Sequence, residues 1–211
     1  MKTILCYGDS NTYGYVPGAG TRYVREERWT GVLQSLLPAG YEVIEEGLNG
    51  RTTAYDREGE DIKNGLKHLV PILHSHRPLD IVVFMLGSND CNAELNIDVT
   101  DIRDGMEKLI LETRERMLQK QGYLPRIIVI APPHISPAYK GGPFDGQLND
   151  DSVIKSEALG REYEDLCRKY DCIFMDAKDI PVSAADGLHL SRESHQKLGQ
   201  SVAKVILALD I

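Results

Sequence analysis

The 211-residue chain is short of several things. It has four cysteines, one tryptophan and three phenylalanines. Cys6, Cys91, Cys167 and Cys172 form no CxxC pair and no ligand-spaced cluster, which excludes a disulfide scaffold or a zinc knuckle as the organising principle. Reduced thiols, and with them a cytoplasmic location, are expected. No apolar run approaches the roughly 18 residues of a membrane span. The N-terminal run Thr3–Tyr7 is too short for a signal core and ends in a turn. Excess basic charge is lacking too: 24 Lys+Arg stand against 32 Asp+Glu, a formal net charge of −8 that disfavours binding to phosphate backbones. The basic clusters near Lys67–His68 and Arg114–Arg116 are interleaved with acids and read as solvated helix faces. Neither nucleic acid nor membrane is expected as a partner.

What is present is an ordinary globular composition, 42% hydrophobic and 27% charged, in one domain-sized stretch (1–211) without repeats or a linker. Apolar runs at Thr3–Tyr7, Tyr41–Leu48, Leu79–Leu86, Arg126–Ala131 and Cys172–Met175 predict strands. Leu79–Leu86 is continuous enough for a strand buried on both faces. Between them, 3.6-residue periodicity predicts helices over Arg28–Leu37, Asp61–Ser75 (kinked or interrupted at Pro71), Asp101–Lys120 and Ser152–Tyr170, the last with a stripe of Ile154, Leu159, Tyr163 and Leu166. Ser191 reads as the cap of a final helix. Alternating strands and helices predict an α/β fold with a five-stranded parallel sheet between two helical layers. The segment 134–150 has no periodicity and reads as a lid or rim.

Ligands of such sheets bind at the carboxyl ends of the strands. The residues there are Gly8-Asp9-Ser10, Gly47-Leu48-Asn49-Gly50, Gly87-Ser88-Asn89-Asp90, Pro132-Pro133-His134 and, past a short loop, Asp186-Gly187-Leu188-His189. They contain the parts of an acyl-transfer site. Ser10 is the candidate nucleophile, His189 its general base, and Asp186 the carboxylate that orients the imidazole. The Ser10 N–H, the Gly50 N–H and the Asn89 side-chain amide are candidate donors to an oxyanion. Any one of these taken alone is ordinary turn or capping chemistry; their recurrence at successive strand ends argues for a site. Asn11, Tyr13, Tyr15, Tyr23, Trp29 and His134 are candidates for the substrate side. The histidines at 68, 74, 76 and 195 read as surface residues.

The four blocks Gly8-Asp9-Ser10, Gly50, Gly87-Ser88-Asn89-Asp90 and Asp186-x-x-His189 resemble, in order, those of the GDSL or SGNH hydrolases. Segments such as Arg28-Trp29-Thr30-Gly31 and Arg51-Thr52-Thr53 are similar to the arylesterase and acyltransferase branch. The resemblance implies a flavodoxin-like three-layer fold, a serine esterase for short-chain acyl esters with no metal or other cofactor, acyl transfer in some relatives, and a homo-oligomer. Asn11 departs from the leucine in the family's name. Within this class an acetylated sugar is the alternative substrate. Outside it stand a non-enzymatic flavodoxin-like binding module, for which no GxGxxG or GxxxxGK[ST] motif is present, and a metal-dependent hydrolase built on His74 and His76. Tyr139 and Phe144 are the loop residues expected to meet a partner subunit.

Overall fold

The computed structural model describes residues 1–209. Five strands form one parallel sheet: β1 (Lys2–Gly8), β2 (Tyr41–Gly47), β3 (Ile81–Met85), β4 (Arg126–Ala131) and β5 (Ile173–Asp176), in the spatial order β2-β1-β3-β4-β5. Parallel neighbours need crossovers, and helices supply them. They are α1 (Ser10–Tyr13), α2 (Trp29–Leu36), α3 (Gly65–His76), α4 (Val99–Gln121), α5 (Asp150–Tyr170) and α6 (Arg192–Leu207). The α/β three-layer arrangement expected from the alternation is the one observed.

Strand residues alternate between two cores, as the two-residue period of a strand requires. Leu5, Tyr7, Val82, Phe84, Ile127 and Val129 face α3, α4 and α5. Ile4, Cys6, Ile81, Val83, Met85 and Ile128 face α2 and α6. β3 is buried along its whole length, which is why its sequence reads as unbroken apolar residues. The chain turns outward from β1 to β2, then crosses to β3 on the other side of β1. The β1/β3 boundary is therefore the switch point, where the carboxyl ends of two strands splay and leave a crevice. Ser10 follows β1 and Asn89 follows β3, so topology alone brings them to that crevice.

Several expectations need correction. The helix expected from Asp61 begins later, at Gly65: Asp61–Lys63 form a 3-10 turn with Ile62 exposed, and Asn64 caps α3 by accepting from the Lys67 N–H at 3.1 Å. Pro71 does not interrupt α3, which runs through it with Pro71 on the exposed side. Ile154 is exposed and outside the buried stripe of α5. The inward face there is taken by Ser152, whose Oγ donates to Cys91 O at 2.7 Å, and by Ser156, whose Oγ accepts from the Ile135 N–H at 3.0 Å. Polar side chains face inward at that end because they satisfy loop backbone that would otherwise be orphaned.

Candidate active site

Ser10 opens α1. The preceding Asp9 caps the helix, its side chain accepting from the Asn11 N–H at 2.9 Å. Ser10 Oγ lies 2.9 Å from His189 Nε2, and His189 Nδ1 lies 2.9 Å from Asp186 Oδ2. An ionised carboxylate can only accept, so Nδ1 carries the ring proton and the Nε2 lone pair faces the serine hydroxyl. The other carboxylate oxygen of Asp186 accepts from the Leu188 and His189 N–H groups, both at 3.0 Å. Burial pushes the Asp186 carboxyl up, but the hydrogen bonds and charge of His189 and the Leu188 N–H outweigh it and leave the group below its ordinary value. It therefore stays ionised at neutral pH. Gly187, with φ of +71°, makes this turn possible; a Cβ there would come within 2.4 Å of the Tyr139 backbone nitrogen.

Ser10, Gly50, Asn89 and His189 line one cavity of about 160 Å³. Gly50 sits at φ of +79° just beyond β2. The Asn89 amide donates to Arg51 O at 3.1 Å, which fixes its plane, and its nitrogen lies 3.4 Å from Asp9 Oδ2. Arg51 in turn donates through Nη1 to Gly8 O at 2.9 Å and to Glu46 O, and its guanidinium stacks 4.0 Å above the Tyr7 ring. The ends of β1 and β2 are thus tied together by one side chain. Burial pushes the Asp9 carboxyl up to about 6 and the Asp90 carboxyl up to about 7, although Thr53 donates to Asp90 from both its N–H and its hydroxyl.

The substrate-side expectations divide. Tyr15 lines the cavity and its ring lies 4.3 Å from that of His189. Trp29 is not at the site: it is fully buried in the core against α6, and its backbone N–H donates to His195 Nδ1 at 3.2 Å. Tyr13 is turned aside under the Arg22 guanidinium at 4.2 Å, Tyr23 packs edge-on against His195, and His134 is not among the cavity residues. Asn11 is buried and clasps the histidine loop from both sides of His189, donating to Leu188 O at 3.4 Å and accepting from the Leu190 N–H at 2.9 Å. Its departure from leucine serves loop positioning rather than substrate contact. His195 is a buried core residue rather than a surface one, held neutral because burial pulls its imidazole down to about 3.

Other cavity residues carry no periodic signal in the sequence: Arg57, Asn92, Phe144 and Gln147. Phe144 lines the cavity, 5.3 Å from the His189 ring, and Tyr139 is buried within its own chain. The 134–150 segment forms a rim of the cavity. Among the described residues no group of three or more His, Cys, Asp or Glu side chains could hold a metal ion, and no helix is long and apolar enough to cross a membrane.

A parallel sheet with a paired serine and histidine at its switch point defines a class of hydrolase, and comparison with known proteins identifies the group within it. The family model of the GDSL-like lipase/acylhydrolase family matches residues 6–197, and the chain belongs to that family. No curated protein matches it. Among solved structures, the chain is similar to Est24, a carbohydrate acetylesterase from Sinorhizobium meliloti, at 34% identity over 99% of each chain with a TM-score of 0.91. It is also similar to the aryl esterase of M. smegmatis, at 33% identity over 99% of this chain and 100% of that one, with a TM-score of 0.92. A carbohydrate acetylesterase family member from Sinorhizobium meliloti is 36% identical over 98% of this chain and 97% of that one, with a TM-score of 0.89. The protein is a serine ester hydrolase acting on small-molecule esters.

Proposed function

We propose that residues 1–211 act as one esterase domain for short acyl groups, with Ser10 as nucleophile, His189 as general base and acid, and Asp186 as the residue that orients the imidazole and stabilises its protonated form. The observation that carries the proposal is the unbroken relay Ser10–His189–Asp186, with both contacts at 2.9 Å and the ring tautomer set by a buried carboxylate. Ser10 Oγ attacks the ester carbonyl while its proton passes to His189 Nε2. The carbonyl oxygen becomes an oxyanion held by the Ser10 N–H, the Gly50 N–H and the Asn89 amide. The intermediate collapses as His189 returns the proton to the leaving alcohol. Water, or a small alcohol, then attacks the acyl-enzyme with His189 again as base, and Ser10 leaves.

The preference for short acyl groups rests on cavity size. At about 160 Å³ the cavity is well below the roughly 300–1,000 Å³ of pockets that hold drug-sized ligands. Turnover of p-nitrophenyl esters is expected to be fastest for acetyl and to fall steeply before octanoyl. A rate that rises with chain length to dodecanoyl overturns this preference.

A second reading, removal of acetyl groups from sugars, is favoured by one observation. The Oδ1 of Asn49 is buried without a hydrogen-bond partner while Asn49 lines the cavity, so it suits a hydroxyl donor on the substrate. Faster deacetylation of an acetylated xylo-oligosaccharide than of an aryl acetate selects this reading. We also propose self-association, resting on the exposed Leu111 and Leu118 of α4 with Tyr123 and Leu124 beyond it. A cytoplasmic location is proposed from the four free cysteines.

A further inference from the structure

The peptide unit that joins Asn49 to Gly50 is engaged at its carbonyl end as well as at its N–H. The N–H is the Gly50 donor assigned above to the oxyanion. The carbonyl oxygen, Asn49 O, accepts a hydrogen bond from Lys63 Nζ. A Cβ built on Gly50 would meet that ammonium at 3.3 Å and Arg57 Nη1 at 3.4 Å, so two cations flank this donor. They are not equivalent. Arg57 is tied to Glu94 at 2.6 Å and to Glu60 at 3.5 Å, whereas the carboxylate paired with Lys63 is Glu60 at 4.0 Å.

Lys63 is itself firmly placed. Its N–H donates to Glu60 O at 2.9 Å in the 3-10 turn. Its carbonyl accepts from the Thr52 N–H at 2.9 Å and from the Thr52 hydroxyl at 3.3 Å. The residue is therefore fastened to the chain only two positions beyond Gly50, and its side chain is mostly buried.

We propose that Lys63 is a positioning residue of the oxyanion hole, acting through the 49–50 peptide; this rests on the assignment of the Gly50 N–H as an oxyanion donor. Two physical effects combine. The first is orientation. A peptide next to a glycine can flip by paired rotation of the flanking torsions at little steric cost, and a flip here would turn a carbonyl, not an N–H, toward the oxyanion. The ammonium holds the carbonyl on the far side. The second is polarisation. A charged donor on C=O draws electron density along the amide and strengthens donation from its N–H, an effect of about 10–30% per bond in linked hydrogen bonds. Both act most when negative charge develops on the substrate oxygen, so they favour the transition state over the bound ester.

The test is a series at one position: Lys63→Met, Lys63→Gln and Lys63→Arg, assayed on p-nitrophenyl acetate beside wild type and Ser10→Ala. Lys63→Met is expected to lower kcat about tenfold with KM unchanged, less than the roughly 10²–10³ lost when an oxyanion donor is deleted outright. Lys63→Gln, a neutral donor, should fall between Met and wild type, and Lys63→Arg should restore most of the rate. The carbonyl stretch of the acyl group on Ser10 should move to higher frequency in Lys63→Met. A folded Lys63→Met with wild-type kcat and carbonyl frequency overturns the proposal. If that variant does not fold, Lys63→Gln decides: full kcat with an unshifted carbonyl overturns it equally. A loss confined to KM or to Tm also overturns it, because that is the signature of a structural role. Turnover that survives Ser10→Ala would instead bring down the underlying site assignment.

Discussion

Ser10→Ala is expected to lower kcat on p-nitrophenyl acetate by about 10⁵–10⁶-fold, in line with loss of the nucleophile in a comparable serine triad. That corresponds to roughly 7–8 kcal/mol of barrier. The structural cost should be small. The Ser10 hydroxyl makes one hydrogen bond, to His189, and α1 keeps its cap because that contact comes from Asp9 to the Asn11 N–H. The thermal midpoint should therefore stay near that of wild type. Release of p-nitrophenol and a melting curve on the same preparation check both parts. Residual kcat above about a hundredth of wild type would contradict the role given to Ser10, since background chemistry in the emptied site is far slower.

Asp186→Asn should cost about 10⁴-fold in kcat, for a reason that the loop geometry makes specific. One oxygen of Asp186 accepts from the Leu188 and His189 N–H groups, and the other faces His189 Nδ1. An asparagine keeps its oxygen on the two backbone donors, which leaves its NH₂ facing the ring. Nδ1 must then become the acceptor, and the proton moves to Nε2, where it points at Ser10 and cannot take the serine proton. The loop stays folded and the base is in the wrong tautomer. Steady-state kinetics of the variant check the rate. A pH series of melting curves checks the electrostatics. The Asp186 carboxyl is lowered on folding, so it contributes stability that is present above its unfolded pKa and lost as pH falls through the folded value. The gap in Tm between wild type and Asp186→Asn should therefore narrow on acidification. A variant with wild-type kcat would show that the carboxylate does not set the tautomer.

The sheet was legible because burial on both faces leaves a plain mark: β3 and the inner residues of β1 and β4 admit almost nothing but apolar side chains. The relay was legible because strand ends in a parallel sheet converge, so Ser10, Gly50, Asn89 and His189 could be read from chain order before any distance was known. Substrate-side residues were harder, because nearness in sequence to the Ser10 corner does not fix direction. Tyr13 and Tyr15 are two residues apart, yet Tyr15 stacks on His189 while Tyr13 turns away under Arg22. Trp29 belongs to the apolar stripe of α2 and is buried by it. His195 gave a polar signal at a helical position whose face is buried, and only the long-range bond from the Trp29 N–H explains it. Arg57 lies in the aperiodic stretch after β2, and Lys63 falls in a 3-10 turn that the helical pattern from Asp61 reads as part of α3. Their places are set by contacts to Glu94, Glu60 and the Asn49 carbonyl that no local pattern encodes.

The central claim is that the ester's acyl group passes through a covalent bond to Ser10. The most direct measurement is the mass of the Ser10-bearing peptide after the enzyme is treated with p-nitrophenyl methylphosphonate, which traps an activated serine as a stable tetrahedral adduct. The account predicts a single methylphosphonyl adduct on Ser10, loss of activity in proportion to its formation, and no adduct in Ser10→Ala. Full inactivation with the adduct on another residue, or unmodified Ser10 in an inactivated enzyme, would contradict it.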